Sequence, residues 1–160
     1  MNLASLAALA ATGSVDNGRQ LYQSACLQCH GALRPNISPM LAADNPARIR
    51  EAINPLSLMS TLSYLSNEDL LDIASYIARP GSNDTDRLFD WAEQQGFPDA
   101  LGKSANATQE YGGYRYRYYP SARLFLGTRN GEVVMLGEGS TVPALLGTMR
   151  QYLRQMPPGR

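Results

Sequence analysis

All of the cysteine and histidine side chains of this chain lie in one short segment, Cys26-Leu27-Gln28-Cys29-His30. A structural zinc site needs about four Cys, His or acidic ligands, and no second Cys/His cluster exists to complete one. A thioredoxin-like Cys-x-x-Cys pair follows a strand of a βαβ unit, whereas no β-branched run precedes Cys26. A redox disulfide between Cys26 and Cys29 stays open as an alternative to a cofactor site.

The order Cys-x-x-Cys-His is the attachment signature of a c-type haem. Each thiol can add to a vinyl group of the porphyrin to form a thioether, and the histidine can reach the iron from the proximal side. We therefore predict one covalently attached haem c, bound through Cys26 and Cys29, with His30 as the proximal iron ligand. Because bacteria attach haem to cysteine outside the cytoplasmic membrane, the motif also predicts an exported, periplasmic protein.

Charge and hydropathy exclude several kinds of partner. The chain has 14 basic and 14 acidic side chains, so it has no electrostatic footprint for nucleic acid. It contains no run of about eighteen apolar residues, and we predict no transmembrane span. Residues 1–13 are small and apolar, and Ala8-Leu9-Ala10 resembles the cleavage site of an export signal without its basic leader. We interpret them as a signal-peptide remnant or, alternatively, a short helical tail.

Helical signals lie on both sides of the motif. Residues 16–25 predict a helix that leads into the motif, with Asp16 near the positive end of its dipole. Asn45 followed by Pro46 predicts the start of a second helix. Ser66-Asn67-Glu68-Asp69 resembles a capping box, and apolar residues recur after it at helical spacing as far as Ile77.

Several residues around the motif resemble the class I (monohaem) c-type cytochromes. Gly18, Leu21 and Tyr22 before the motif and Gly31 after it are similar to the opening of that family. Pro39-Met40-Leu41-Ala42 is similar to the segment that covers one haem edge. The resemblance covers about residues 14–80 and implies an all-α cytochrome c fold around the haem. It also implies that the last helix crosses the first closely at Gly18, with Tyr76 against the first helix.

The same resemblance implies a methionine as the second axial ligand of the iron. Met59 lies in the loop before the last helix, where this family places its ligand, although Ser60 follows it instead of the usual proline. Met40 comes so soon after His30 that its loop would have to wrap around the porphyrin, and a packing role fits it better. An iron without a distal protein ligand is the third alternative.

After a short polar linker, residues 81–83, the pattern of the chain changes. We predict a helix over 84–95, strands over 114–118, 124–128 and 132–136, and a hairpin turn at Asn130-Gly131. A final helix is predicted from Ser140 or Thr141, with Pro143 in its first turn. Residues 84–160 thus form a small α+β domain (helix, three-stranded antiparallel meander, helix), which resembles a domain of unknown function in secreted bacterial proteins.

Tyrosine and arginine alternate from Tyr114 to Tyr118 in the first of these strands. The alternation predicts that one face of the strand packs in a core while the other carries solvated arginines. A binding face made of aromatic and cationic side chains is the alternative.

An iron held by two protein ligands exchanges electrons without binding a substrate. The predicted function is therefore that of a periplasmic electron carrier and not an enzyme, with redox partner proteins and a C-terminal domain that docks a partner or stabilises the haem domain. An open distal position would instead indicate a small-ligand sensor or a peroxide-reactive protein. A haem subunit of a larger assembly, which self-associates through the strands of residues 114–136, is a further alternative.

Overall fold

A computed structural model describes residues 12–33, 38–94, 108–120 and 122–156. The described chain is helical up to residue 94 and continues as an antiparallel sheet. Two clusters of buried apolar side chains form its cores. One cluster draws on residues 22–77 and the other on residues 88–156, so the helical half and the sheet half each have their own core.

The helix predicted before the haem motif extends through the motif itself. Helix α1 (Val15–Leu21) continues into a π-helical turn (Tyr22–Cys26) and then into α2 (Leu27–His30). Ser14 caps α1 by accepting a hydrogen bond from the Asn17 backbone N–H at 3.0 Å. Gly31 ends α2 with a φ of 69°, a conformation that glycine adopts without steric cost.

The remaining helices of this half begin where their capping residues predict. Asn45 accepts a hydrogen bond from the Arg48 backbone N–H at 3.2 Å, and Ser66 and Asp69 form the complete capping box. The elements are a 3₁₀ turn over Ser38–Ala42, α3 over Pro46–Ala52, a 3₁₀ turn over Ser60–Leu62 and α4 over Asn67–Ala78.

Helices α1 and α4 cross closely at Gly18, as the resemblance implied. A Cβ atom at Gly18 would lie 2.0 Å from the Asp72 carbonyl oxygen, so only glycine fits at this position. One turn further along, the Tyr22 and Tyr76 rings lie 5.6 Å apart. The crossing therefore brings the helix that carries the haem motif against the helix that carries Ile73 and Ile77.

The second half contains a five-stranded antiparallel sheet in the order β1-β2-β3-β4-β5, so the predicted three-stranded meander is wrong in its strand number. Asn130 and Gly131 both have positive φ, 51° and 77°, which confirms the predicted hairpin turn. The elements are α5 over Asp84–Gln94, β1 over Gln109–Tyr111, β2 over Tyr114–Tyr119, β3 over Leu124–Arg129, β4 over Glu132–Gly137, β5 over Ala144–Thr148 and α6 over Met149–Leu153.

The predicted start of the last helix at Ser140 or Thr141 is also wrong. Residues Ala144–Thr148 pair with β4 as an edge strand, and the helix begins only after Thr148, which forms a capping box with Gln151. Helical spacing of Leu145, Leu146 and Met149 favoured a longer helix. The backbone partners that β4 offers outweigh that local preference.

The prediction for the two faces of β2 is reversed. The Arg117 guanidinium lies 4.7 Å from the centre of the buried Phe89 ring and pairs with Glu93 at 3.1 Å. Tyr116 and Tyr118 instead contact Phe125 on the opposite face of the sheet. The guanidinium of Arg117 thus lies over an aromatic ring of α5, and a carboxylate of the same helix pairs with its charge, an arrangement that a plain alternation pattern does not predict.

Ser66, the N-cap residue of α4, is expected to contribute to the free energy of unfolding. We expect Ser66→Ala to lower the free energy of unfolding by about 1 kcal/mol at neutral pH, because the Asp69 backbone N–H loses its partner at 3.1 Å. The Ser66 hydroxyl is also the main cause that lowers the pKa of Asp69. A lowered carboxyl pKa stabilises the fold above the unfolded value near 4 and loses that effect as pH falls.

The penalty of Ser66→Ala should therefore shrink in urea titrations below about pH 4. Ser63→Ala is the matched control, since the described structure records no side-chain hydrogen bond for Ser63. An equal penalty at pH 7 and pH 3 would contradict the role assigned to the Asp69 carboxylate.

Candidate functional site

A cavity of about 350 Å³ opens in the helical half. It lies among the helix that carries the Cys-x-x-Cys-His motif, α3, α4 and the loop that holds Met59. Most of its surface is apolar, and charged side chains reach it from α3 only. Its lining residues are Tyr22, Cys26, His30, Pro39, Ala42, Arg48, Ile49, Glu51, Ala52, Met59, Ile73 and Ile77.

Three of these residues are spaced by four along one helical segment. Tyr22, Cys26 and His30 all face the cavity, because residues four apart lie on one side of a helix. Cys29 lies on the same turn but is exposed and does not line the cavity, and neither cysteine is in a disulfide. The structure thus brings one cysteine and the histidine of the motif to the cavity wall and leaves the second cysteine beside it.

The π-helical turn between Tyr22 and Cys26 immediately precedes the motif. Such turns are rare and occur often at functional sites. No residue pattern in the sequence signalled it. In this turn the Leu27 backbone N–H donates to the Tyr22 carbonyl, five residues earlier, where an α-helix would bond residues four apart.

Burial controls the chemistry of Cys26. Its side chain is buried, and desolvation is the main cause that raises the pKa of its thiol, with the neighbouring Cys29 adding to the effect. Since the thiolate is the reactive form of cysteine, the folded chain holds Cys26 in its unreactive state.

Tyr22 fixes the end of the motif as well as lining the cavity. Its hydroxyl donates a hydrogen bond of 3.0 Å to the Gly31 carbonyl, and burial raises the pKa of this hydroxyl, so it stays a neutral donor. The bond links the start of the π-helical turn to the residue after His30. Tyr22 therefore restrains the position of the His30 backbone.

The structure distinguishes between the two methionines that the sequence singled out. Met59 lines the cavity together with His30, although the two are far apart in the sequence. Met40 packs against the apolar core of the helical half and is not among the lining residues of the described chain. Met59 is thus the methionine that the fold brings to the wall of this cavity.

The sequence predicts a set of apolar wall residues around the haem: Leu33, Ile37, Leu41, Ile49, Ile53, Leu58, Leu62 and Leu70. Part of this set lies at the cavity or beside it. Ile49 lines the cavity, and Ile53, Leu62 and Leu70 belong to the adjoining core. Leu41 and Leu58, which we also expected in the wall, are largely exposed, and Ile37 lies outside the described residues. Sequence reasoning missed Arg48 and Glu51. Their helical spacing with Ala52 and Ile49 could have placed them on the same face of α3.

The lining residues fit a covalently bound haem in their chemistry. A c-type cytochrome needs a cysteine thiol for attachment of the porphyrin, and it uses imidazole nitrogen and methionine sulfur as iron ligands. Cys26, His30 and Met59 supply one of each. The isoleucines of α3 and α4 provide apolar walls for a porphyrin. Among the described residues, no group of three or more His, Cys, Asp or Glu side chains could hold a metal ion without such a cofactor.

Residues 13–77 match the protein family described as cytochrome c oxidase, cbb3-type, subunit III. The match supports a c-type cytochrome domain over these residues, and it implies a covalently bound haem c and haem-based electron transfer. Cytochrome c domains are typically exported. No curated protein and no solved structure matches the chain. Within the described ranges, no helix is long and apolar enough to cross a membrane.

Proposed function

We propose that this chain is a periplasmic monohaem cytochrome that carries single electrons between redox partner proteins. In this proposal the thioethers form at Cys26 and Cys29, His30 is the proximal ligand and Met59 is the distal ligand. The observation that supports it best is the single cavity lined by Cys26, His30 and Met59. An iron with two axial protein ligands needs one ligand on each side of the porphyrin, and His30 and Met59 come from two distant parts of the chain.

The chain's own residues would set the properties of the site. His30 would hold the iron from the helix whose end Gly31 fixes, and Met59 would hold it from the loop before α4. Ile49, Ile73 and Ile77 line the cavity with apolar surface that excludes water. A haem iron with histidine and methionine ligands supplies one-electron exchange at a potential raised by the thioether. With both axial positions filled, no position is left for a substrate, so the chain is a carrier and not an enzyme.

Residues 84–160 have a separate place in this proposal. We divide the chain into the apolar segment 1–13, the cytochrome domain 14–80, the linker 81–83 and the α+β domain 84–160. The last of these is joined to the helical half by hydrogen bonds from the Ser14 hydroxyl to Asp84 and from Arg150 to Asp72. These contacts favour a stabilising role over that of an independent partner-docking module.

The visible spectrum of the purified protein, with and without carbon monoxide, tests the ligand assignment. We expect the wild-type protein to show the weak methionine–iron band at the red edge of the spectrum and to resist carbon monoxide when reduced. Met59→Ala should lose the whole band and bind carbon monoxide rapidly. Met40→Ala, the matched control, should behave as the wild type.

The other possible spectra would each change the ligand assignment. Persistence of the band in Met59→Ala would sink the assignment of Met59, and its loss in Met40→Ala would transfer the ligand role to that residue. Rapid carbon monoxide binding by the wild-type protein would replace the carrier with the open-site alternative, a gas sensor or a peroxide-reactive protein.

A second candidate function is that of a haem subunit in a larger assembly. The description of the matching family, a subunit of an oxidase, favours it. The edge strands β1 and β5, with Tyr111, Leu145 and Leu146 exposed, are where self-association or docking would occur. Light scattering of the purified protein separates the two functions, because a monomer at all concentrations supports the carrier.

A further inference from the structure

A carboxylate is buried where the two haem-proximal helices cross. Asp72 of α4 is 1% exposed. The Ser14 backbone N–H and the Asn17 side-chain amide donate hydrogen bonds to it, both at 2.7 Å. Both donors belong to the start of α1 and are neutral. Burying an ionised carboxylate is costly unless a positive charge compensates it.

The compensating charge comes from the other half of the chain. Arg150 of α6 donates a hydrogen bond of 2.7 Å to the second carboxylate oxygen of Asp72. Glu68, one turn before Asp72 on α4, also contacts Arg150, at 3.3 Å, and is paired with Arg154 as well. Among the described residues, Arg150 is therefore the cation in direct contact with the Asp72 carboxylate.

A second set of hydrogen bonds joins the start of α1 to α5 of the C-terminal half. The Val15 backbone N–H donates to the Asp84 carboxylate at 2.8 Å, and the Asp84 backbone N–H donates to Asp16 at 3.1 Å. Helices α1 and α5 thus cap each other at their N-termini. Arg87 of α5 also pairs with the Asp84 carboxylate, at 3.4 Å. These contacts with Asp84 fix the position of α1 independently of Arg150.

The crossing is connected directly to the cavity. Asp72 is followed in the chain by Ile73, which lines the cavity, and α1 leads without a break into Tyr22, Cys26 and His30. A charge on the buried Asp72 carboxylate is screened by solvent less than a surface charge, whereas the Arg150 side chain that pairs with it is 40% exposed. Reduction of the haem adds a negative charge, and an uncompensated Asp72 carboxylate would oppose it.

We propose that Arg150 is a positioning residue of the haem site, which neutralises Asp72 and thereby keeps the reduction potential independent of pH near neutrality. This inference rests on the proposed function, since it concerns the potential of the same haem. It assigns residues 84–160 a role in the electron-transfer chemistry in addition to stability.

The charges at the crossing predict the direction of each effect. In the wild-type protein the Asp72 and Arg150 charges cancel. Without Arg150 an ionised Asp72 leaves one negative charge, which lowers the potential, whereas without Asp72 the arginine leaves one positive charge, which raises it. Desolvation raises the pKa of Asp72, and the hydrogen bonds from Asn17 and Ser14, followed by the Arg150 charge, oppose that rise. Loss of Arg150 therefore raises the pKa of Asp72 further.

Potentiometric titration of the haem-loaded protein between pH 5 and pH 9 tests the proposal. We expect a flat wild-type potential around pH 7 and, for Arg150→Gln, a potential that falls with rising pH because reduction is accompanied by proton uptake at Asp72. Asp72→Asn should raise the potential, and Asp72→Asn/Arg150→Gln should return it to near the wild-type value without pH dependence. Arg150→Lys, which keeps the charge, should retain the flat profile.

Arg123→Gln is the matched control. It removes the same charge from the same half of the chain, at an exposed pair with Glu138, and should leave the profile flat. An Arg150→Gln profile that superimposes on that of the wild type would overturn the proposal, even if the variant were less stable. Absence of the methionine–iron band from the wild-type protein would instead overturn the proposed function, and the two failures are thus distinguishable.

Discussion

The double variant Cys26→Ala/Cys29→Ala is expected to leave residues 14–80 largely unfolded. Both thioether sites are lost, and with them the group that fills the cavity between the motif helix, α3 and α4. In the haem-free variant the apolar walls of this cavity of about 350 Å³ would be open to water. A small domain has only about 5–15 kcal/mol of stability, so loss of the group against which these walls pack should unfold it.

Far-UV circular dichroism of the purified variant measures this loss as a decrease in the helical signal. Cys29→Ala is the control, because it keeps Cys26 and His30 at the cavity wall and should retain the haem and most of the helical signal. The apolar cluster of residues 88–156 is separate from the cavity, so part of the sheet signal should persist. A native-like spectrum of the haem-free double variant would contradict the prediction.

The second large effect is expected at the helix crossing. Gly18→Ala should lower the free energy of unfolding of the haem-loaded protein by about 2 kcal/mol or more. The new Cβ would lie 2.0 Å from the Asp72 carbonyl oxygen and 3.0 Å from the Ile73 backbone nitrogen, so α1 must move away from α4. The higher helix propensity of alanine, about 1 kcal/mol, offsets only part of this cost.

Urea unfolding gives the difference directly, and Gly81→Ala provides the matched comparison. A Cβ at Gly81 meets no atom within 4 Å, so this variant should stay within about 0.5 kcal/mol of the wild type. If Gly18→Ala also stayed within that range, the close crossing of α1 and α4 would be disproved. Because α1 leads into the haem motif, the visible spectrum of Gly18→Ala should change together with its stability.

Local features of the chain were predictable because neighbouring residues decide them. Asn45 and Ser66 cap their helices with their own side chains, within three residues of the bonds that they form. Asn130 and Gly131 adopt the positive φ that a two-residue hairpin demands. The covalent chemistry of Cys26-Leu27-Gln28-Cys29-His30 is local in the same sense, and the match of residues 13–77 to a cytochrome family agrees with it.

Features that depend on a distant partner were not predictable in the same way. Residues Ala144–Thr148 form a strand because β4 offers them hydrogen-bond partners, against their helical pattern. Arg117 lies on the inner face of the sheet because its guanidinium pairs with Glu93 and lies over the Phe89 ring, both of α5. In both cases the deciding group is on another element, so the pattern of the segment alone predicted the wrong structure.

The sequence by itself determined that this chain holds its cysteines and its histidine in one haem-attachment motif, and that no second histidine of the printed sequence can be the distal ligand. Only the tertiary structure decided that Met59 shares a cavity with His30 while Met40 does not, and that Arg150 meets the buried Asp72. A motif within five residues is set by covalent connection. Contacts between residues tens of positions apart exist only after α1 and α4 have crossed and the sheet half has packed against them.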